Sequence, residues 1–293
     1  MIRSAGVSWN CPVPRYCGSC RRSPSPRPRS TNPWRSSRPA YESPKKERRA
    51  WPRRRCRGWE SPMGEAVLFD LDDTLVDLQY ARRYGLRAVQ EILPALKPVP
   101  LEELELVHDE QLRANYWRMM EGSLSDEEAG CEHMRGICRH YGLETDAAVD
   151  AADRYHRALQ ENSRLVPGVE ALLESLRGRM KVGVVTNGRS QHQRDKLEYL
   201  DLLPLDALAI SEEVCAAKPD PQIFQYALAQ LGVRSVTMIG DSWENDILGA
   251  TGNGMKAIWL NRYRRTCPDP SLAIEINGFE PVENILRILE SSS

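Results

Sequence analysis

Three acids crowd the stretch Val67-Leu68-Phe69-Asp70-Leu71-Asp72-Asp73-Thr74-Leu75, directly after an apolar run. Carboxylates that close a buried strand need a metal or hydrogen bonds to offset their desolvation. Asp70 and Asp72 are two residues apart, so an extended backbone turns both to one side. Two carboxylates on one side can take separate roles, one attacking an electrophile while the other moves protons. Read alone, the stretch is also consistent with a strand that ends in an acidic turn.

Further residues of the right types recur down the chain. Thr186 and Asn187 follow the apolar run that starts at Lys181, and they offer a hydroxyl and an amide to anionic oxygens. Lys218 lies just before Asp220-Pro221, a helix start with Asp as N-cap and Pro at the first helical position. Asp241 closes the run from Val236, with Ser242, Asn245 and Asp246 behind it. Each has an ordinary structural explanation by itself: a surface lysine, a strand-end threonine, a helix cap, or an acid complementing a helix dipole. Their succession at strand ends is what singles them out.

Asp70, Asp72, Asp241 and Asp246 gathered at one place would repel unless a divalent cation and a lysine compensated them. Hard carboxylate oxygens with room for water favour Mg²⁺ over zinc. A cation, a lysine and a hydroxyl around a nucleophile make a receptor for a phosphoryl group, because they stabilise charge on its oxygens.

The elements that must position these residues follow from the hydrophobic pattern. Ala66 to Phe69 with Leu71 reads as a buried strand of a parallel sheet. Further strands are expected at Lys181–Gly188, Ala207–Ser211, Val236–Asp241 and Lys256–Asn261. Helices are expected at 169–177, from Ser190 to Leu200, from Pro221 to Leu231 with a stop at Gly232, from Asn245 to Ala250, and at 281–290. Alternating strands and helices mean an α/β fold with a parallel sheet and right-handed crossovers. Residues 80–160 hold no strand run. Tyr84, Leu86, Val89, Ile92 and Leu93, then Leu101, Leu104, Val107, Leu112 and Trp117, recur near the helical period. A small helical bundle inserted after the first strand is therefore expected.

Four segments of this chain resemble the four motifs of the haloacid dehalogenase-like hydrolases. They are Asp70-Leu71-Asp72-Asp73-Thr74, Val184-Val185-Thr186-Asn187-Gly188, Lys218-Pro219, and Gly240-Asp241-Ser242 to Asn245-Asp246. The resemblance covers about residues 63–290. It implies a Rossmann-like core (residues 63–78 and 161–290) with a helical cap (79–160). It also implies Asp70 as nucleophile, forming an aspartyl phosphate, and Asp72 as acid and then base. Thr74, Thr186, Asn187, Gly188 and Lys218 become substrate contacts, with Thr186 and Lys218 on the phosphoryl oxygens. Mg²⁺ is implied on Asp70, on the backbone carbonyl of Asp72 and on Asp241, with Asp246 in support. The founding dehalogenases lack the second acid of the first motif, so Asp72 favours phosphate-ester hydrolysis.

The wording around the motifs is similar to both pyrimidine 5′-nucleotidases and N-acylneuraminate-9-phosphatases. A nucleoside 5′-monophosphate and a sugar phosphate are thus the two substrate readings, and a phosphomutase is a near rival. Tyr80, Arg82, Arg83, Tyr84, Arg87 and Trp117 are candidate cap contacts to the leaving group; a solvated helix surface explains them equally well.

Charge divides the chain. Of 293 residues with net charge −1, residues 1–62 carry 16 basic and 3 acidic side chains, and the remainder is correspondingly acidic. Ten of the 20 prolines fall in that front and Leu is absent from it, so it cannot bury enough apolar surface to offset chain entropy. Disorder is expected there. The leading reading is a dispensable extension ahead of a start at Met63. The others are a targeting peptide, a basic tail that touches a polyanion, and a metal site at Cys17 and Cys20 with Cys11 and Cys56. In the polyanion case the whole chain would be a nucleic-acid-binding scaffold, a reading the motifs disfavour. No run of 18 apolar residues predicts a membrane span, and no apolar segment after Met1 predicts a secretory signal. Eight scattered cysteines suit reduced thiols in a cytoplasmic setting. The expected partner is a small phosphorylated metabolite, with nucleic acid and membrane not expected, and the chain a monomer or homodimer.

Overall fold

The structure is a computed structural model that describes residues 65–120, 124 and 126–291. The expectations for residues 1–62 lie outside the described residues.

A six-stranded, all-parallel sheet forms the core, in the order β3-β2-β1-β4-β5-β6. Its strands are β1 Glu65–Phe69, β2 Lys181–Thr186, β3 Ala207–Ile210, β4 Ser235–Gly240, β5 Lys256–Leu260 and β6 Ile274–Ile276. Val67 and Phe69 face one helical layer together with Val184, Ile239, Ile258 and Leu260. Ala66 and Leu68 alternate to the other layer with Val185, Met238 and Trp259. Both faces are covered, which explains why β1 is apolar throughout from Ala66 to Phe69. Helix α5 (Val169–Leu176) and helix α10 (Val282–Ser291) pack on the first face. Helix α8 (Pro221–Leu231) and the short α9 (Leu248–Gly252) cover the second.

The position of β1 decides where chemistry can happen. It pairs with β2 on one side and β4 on the other, with Phe69 level with Val184 and Ile239. The strand order reverses here, which opens a crevice at the carboxyl ends. The ladder runs one residue further: the Asp70 amide donates to the Ile239 carbonyl at 2.9 Å.

Between β1 and the return of the chain at Leu165, four α-helices stand among the described residues: α1 Leu78–Ile92, α2 Leu101–Met120, α3 Asp126–His140 and α4 Ala148–Glu161. They hold their own apolar cluster, including Leu86, Leu96, Leu104, Met134, Ile137 and Tyr155. In α1 the buried set is Leu78, Ala81, Gly85, Leu86, Ala88 and Val89, an amphipathic stripe. Gly85 lets α1 approach α4, because a Cβ there would lie 2.6 Å from Cε2 of Tyr155. Ile92, expected within the stripe, is exposed at the helix end.

The chain leaves and re-enters the core along two neighbouring segments. Val76 bridges antiparallel to Leu165, Val166 N–H donates to the Leu75 carbonyl at 2.9 Å, and Asp77 N–H donates to the Arg164 carbonyl at 3.0 Å. Asp77 is buried. Its carboxylate accepts from Arg164 at 2.7 and 3.0 Å and from Arg262 at 3.0 Å. The Arg164 guanidinium also stacks on the Tyr80 ring at 3.2 Å. One carboxylate thus ties both crossings to the loop after β5.

Two elements differ from the sequence expectation. Strand β6 has three residues on the sheet edge, too few for a periodic signal. The helix expected from Asn245 is preceded by a wide turn at Trp243–Ile247, and regular α9 begins only at Leu248.

Candidate active site

Three of the four anticipated carboxylates converge. Asp70, Asp241 and Asp246 each present an oxygen within 4.8 Å of the others. Strand β1 supplies Asp70, β4 supplies Asp241, and the wide turn after β4 brings Asp246 back beneath it. Gly240 permits this return, since a Cβ on it would collide with the Asp246 carboxylate.

Lys218 joins the group from the loop ahead of α8. Its Nζ donates to Oδ1 of Asp70 and Oδ1 of Asp246, both at 2.6 Å. Lys218 is 5 % exposed and Asp246 is fully buried, so this is a desolvated cluster in which each charge depends on the others. The second Asp246 oxygen accepts from Ser242 N–H at 2.9 Å. Burial would strip the lysine of its proton, but the Asp246 and Asp70 carboxylates overcome this and raise its pKa. Burial lifts the Asp70 carboxyl well above the ordinary carboxylate range against the pull of Lys218, with Asp246 and Asp241 adding to the rise. Burial and the Asp246 and Asp73 carboxylates push Asp241 up to about 7. Three crowded oxygens with no nitrogen or sulfur donor among them suit a hard divalent cation.

Asp72 stands apart from this trio. Its two oxygens accept from Lys196 Nζ at 2.7 and 2.8 Å, and Oδ2 also accepts from Gln193 Nε2 at 3.1 Å. Burial raises the Asp72 carboxyl, yet Lys196 and Gln193 prevail, with help from Arg82, and leave it below its ordinary value. Neither Lys196 nor Gln193 stood out in the sequence. Helix α6 (Ser190–Tyr199) is polar nearly throughout, and only Gln193 and Leu197 are buried in it. No apolar period in α6 marks its inner face, so the sequence carries no signal for either residue.

The remaining anticipated residues take varied places. Thr186 is buried at the end of β2, and its hydroxyl makes a long 3.5 Å contact to the Asn187 carbonyl. The Asn187 amide does not reach toward an anion. Its oxygen accepts from Lys218 N–H at 2.7 Å and its nitrogen donates to the Lys218 carbonyl at 3.0 Å. This clasp fixes the backbone that carries the bridging lysine. Gly188 adopts φ +144°, and a Cβ there would sit 2.6 Å from Gln193 Nε2. Its N–H donates to Ser211 Oγ at 2.9 Å. Thr74 is fully buried and its hydroxyl has no partner among the described residues. The Asp241 backbone carbonyl accepts from Trp259 Nε1 at 2.9 Å and from Arg265 at 2.8 Å, contacts that the sequence did not suggest.

Among the candidate cap contacts, Arg83 is paired with Glu102 at 2.7 Å and Glu105 at 3.3 Å, Tyr80 stacks under Arg164, and Arg87 lies over Tyr84. The Arg83 pairs join α1 to α2, the Arg87 contact stays within α1, and the Arg164 contact ties α1 to the returning segment. Arg82 is the member whose charge is felt at Asp72 and Asp73. The side chain of Trp117 lies outside the described residues.

Fold and site together define an α/β protein with a carboxylate-lysine centre at the switch point of a parallel sheet. Residues 65–254 match the haloacid dehalogenase-like hydrolases, and the chain belongs to that family. It is 43% identical over 121 residues to the pyrimidine 5′-nucleotidase YjjG of Escherichia coli (strain K12), a match covering 40% of this chain and 54% of that protein. The match thus spans about half the length of that relative. The N-acylneuraminate-9-phosphatase of Homo sapiens is 30% identical over 219 residues, covering 67% of this chain and 82% of that one. Among solved structures, the HAD-hydrolase YfnB of Bacillus subtilis, described as bound to magnesium, superposes with a TM-score of 0.60 at 26% identity, covering 76% of this chain and 99% of that chain. Among the described residues no helix is long and apolar enough to cross a membrane.

Proposed function

We propose that this chain is a phosphomonoester hydrolase that works through an aspartyl phosphate on Asp70, with a small phosphorylated metabolite as substrate. The observation that carries the reading is Lys218 bridging Asp70 and Asp246 at 2.6 Å each, with Asp241 in the same group. In this scheme Asp70 attacks phosphorus through an oxygen, and the bond to the leaving oxygen breaks. Asp72 gives that oxygen its proton, which requires the Lys196 contact to slacken to one Asp72 oxygen so that the other can be protonated. Asp72 then takes a proton from water as the water attacks the phosphoryl group on Asp70, releasing phosphate and restoring both acids. One residue serves both ways by microscopic reversibility. Lys218 and Thr186 hold the phosphoryl oxygens.

Asp70, Asp241 and Asp246 fit Mg²⁺ by their oxygen-only donors and like-charge crowding, and the magnesium-bound relative supports this. Bound there, Mg²⁺ would neutralise charge on the phosphoryl oxygens. Similarity to YjjG supports a nucleoside 5′-monophosphate as substrate; similarity to the N-acylneuraminate-9-phosphatase supports a sugar phosphate. We favour the nucleotide.

A phosphate-release screen of the full chain, with and without Mg²⁺, over nucleoside 5′-monophosphates and sugar phosphates tests this. Mg²⁺-dependent phosphate release is expected. Isomerised sugar phosphate without free phosphate would indicate a mutase, and halide release from a 2-haloacid without phosphatase activity would reject the reading.

A further inference from the structure

The inner face of α6 has no place in the scheme above, yet it grips the acid that the scheme needs for proton transfer. Lys196 Nζ lies 2.7 and 2.8 Å from the two oxygens of Asp72, and Gln193 Nε2 lies 3.1 Å from Oδ2. The two side chains are three residues apart, on one face of the helix. We infer that Lys196 and Gln193 are positioning residues that set the direction in which Asp72 presents its carboxyl group. The inference rests on the phosphatase reading and deepens it.

Several features mark this as a built cradle. A surface ion pair joins two groups free to turn, but here three hydrogen bonds reach one carboxylate, which fixes rotation about its Cβ–Cγ bond. Gln193 is 3% exposed, and its nitrogen also donates to the Asn187 carbonyl at 2.8 Å. It therefore fastens Asp72 to the loop after β2, the loop that clasps Lys218. The cost is visible: Gln193 Oε1 is buried with no partner among the described residues, so its desolvation is not offset by a hydrogen bond. A leucine would fill the space without that cost. Gly188 completes the arrangement, because any side chain there would displace the Gln193 amide.

The two acids are held in different ways. Asp70 meets Lys218 through one oxygen. Asp72 is held at both oxygens by a separate lysine. Only one Asp72 oxygen has to carry the proton, so a contact to the other can preserve direction during transfer. Misplacing a reacting group by about 1 Å can cost on the order of 10²-fold in rate. Orienting Asp72 is thus enough to account for a large effect without any contact between α6 and substrate.

A double-mutant cycle on the full chain tests the idea, with phenyl phosphate and p-nitrophenyl phosphate as probes and Mg²⁺ present. Lys196→Met should lower kcat roughly 10- to 100-fold, with KM changed by less than about twofold. The loss should be larger on phenyl phosphate, whose leaving oxygen depends more on protonation. Lys196→Arg, which keeps the charge, should recover part of the rate and serves if the methionine variant does not fold. In an Asp72→Asn background, Lys196→Met should cost nothing more, because the residue it orients has lost its function. A rise in KM with kcat intact would overturn the inference and make Lys196 a substrate contact. Equal losses in both backgrounds would overturn it too. A wild-type chain that releases no phosphate from any ester would defeat the phosphatase reading itself, and this inference with it.

Discussion

Replacing Lys218 with methionine should expose how far the site depends on one buried ammonium. The side chain keeps its approximate length and loses its charge. In the native cluster Nζ compensates Asp70 and Asp246 at 2.6 Å each, and all three groups are buried. Without it, Asp246 keeps the Ser242 amide on one oxygen, while Asp70 faces two other carboxylates. Removing one partner from a buried ion pair costs about 3–5 kcal/mol, because the other charge remains desolvated. For a domain of this size each kcal/mol moves Tm by about 2–4 °C, so a drop of roughly 6–20 °C is expected at pH 7.5 in EDTA. The deficit should shrink near pH 5, where carboxyls whose pKa is already raised can take up protons. Thermal and urea unfolding followed by circular dichroism at the two pH values measure both effects, and phosphate release should fall by on the order of 10³-fold. A variant with the wild-type urea midpoint at pH 7.5 would refute the reasoning, since the ammonium would then offset nothing.

Other perturbations probe separate parts of the molecule. Asp70→Asn should lower phosphate release by on the order of 10⁴-fold while the circular dichroism spectrum stays native; retained turnover would remove Asp70 as nucleophile. Gly240→Ala should push Asp246 off Lys218 and cost about 1–3 kcal/mol in a urea titration, with activity falling in parallel. The inserted helices should be acid-sensitive. Burial, with His108, His156 and Arg82 nearby, holds the His133 pKa well below its ordinary 6.5. The folded form therefore keeps this ring neutral while the unfolded chain protonates it. That contribution to stability is complete above about pH 6.5 and is lost as pH falls toward the folded value. His133→Leu, which removes a ring nitrogen that has no partner among the described residues, should flatten the fall in Tm between pH 6.5 and 5. Curves that stay parallel would show that the histidine does not set the slope.

The acids and the lysine were legible because residue type and place coincide at Asp70, Lys218, Asp241 and Asp246. Asp70 and Asp241 directly follow buried strands, Lys218 and Asp246 lie in the turns close behind strand ends, and successive strand ends of a parallel sheet share one edge. The alternation of apolar runs with helical stretches likewise foreshadowed β1 to β5 and the inserted helices. What stayed hidden depends on which way polar side chains turn. In α6 almost every residue is polar, so no apolar period shows that Gln193 and Lys196 face inward. Asn187 was legible as an anion contact by its type, yet its amide is committed to the Lys218 backbone, a pairing across 31 residues. The bonds of Asp77 to Arg164 and Arg262 span 87 and 185 residues, and nothing local announces them.

The paired crossings at Val76 and Leu165 have a consequence for how such a protein can diversify. Because the departing and returning strands lie side by side, the four-helix segment is grafted onto the sheet through a single narrow stalk, and its interior is packed independently of the sheet's layers. Inserted segments are best tolerated where their two ends meet close together. The helices can therefore drift, swell or be exchanged as a cassette, and the bond-breaking machinery below keeps its registry.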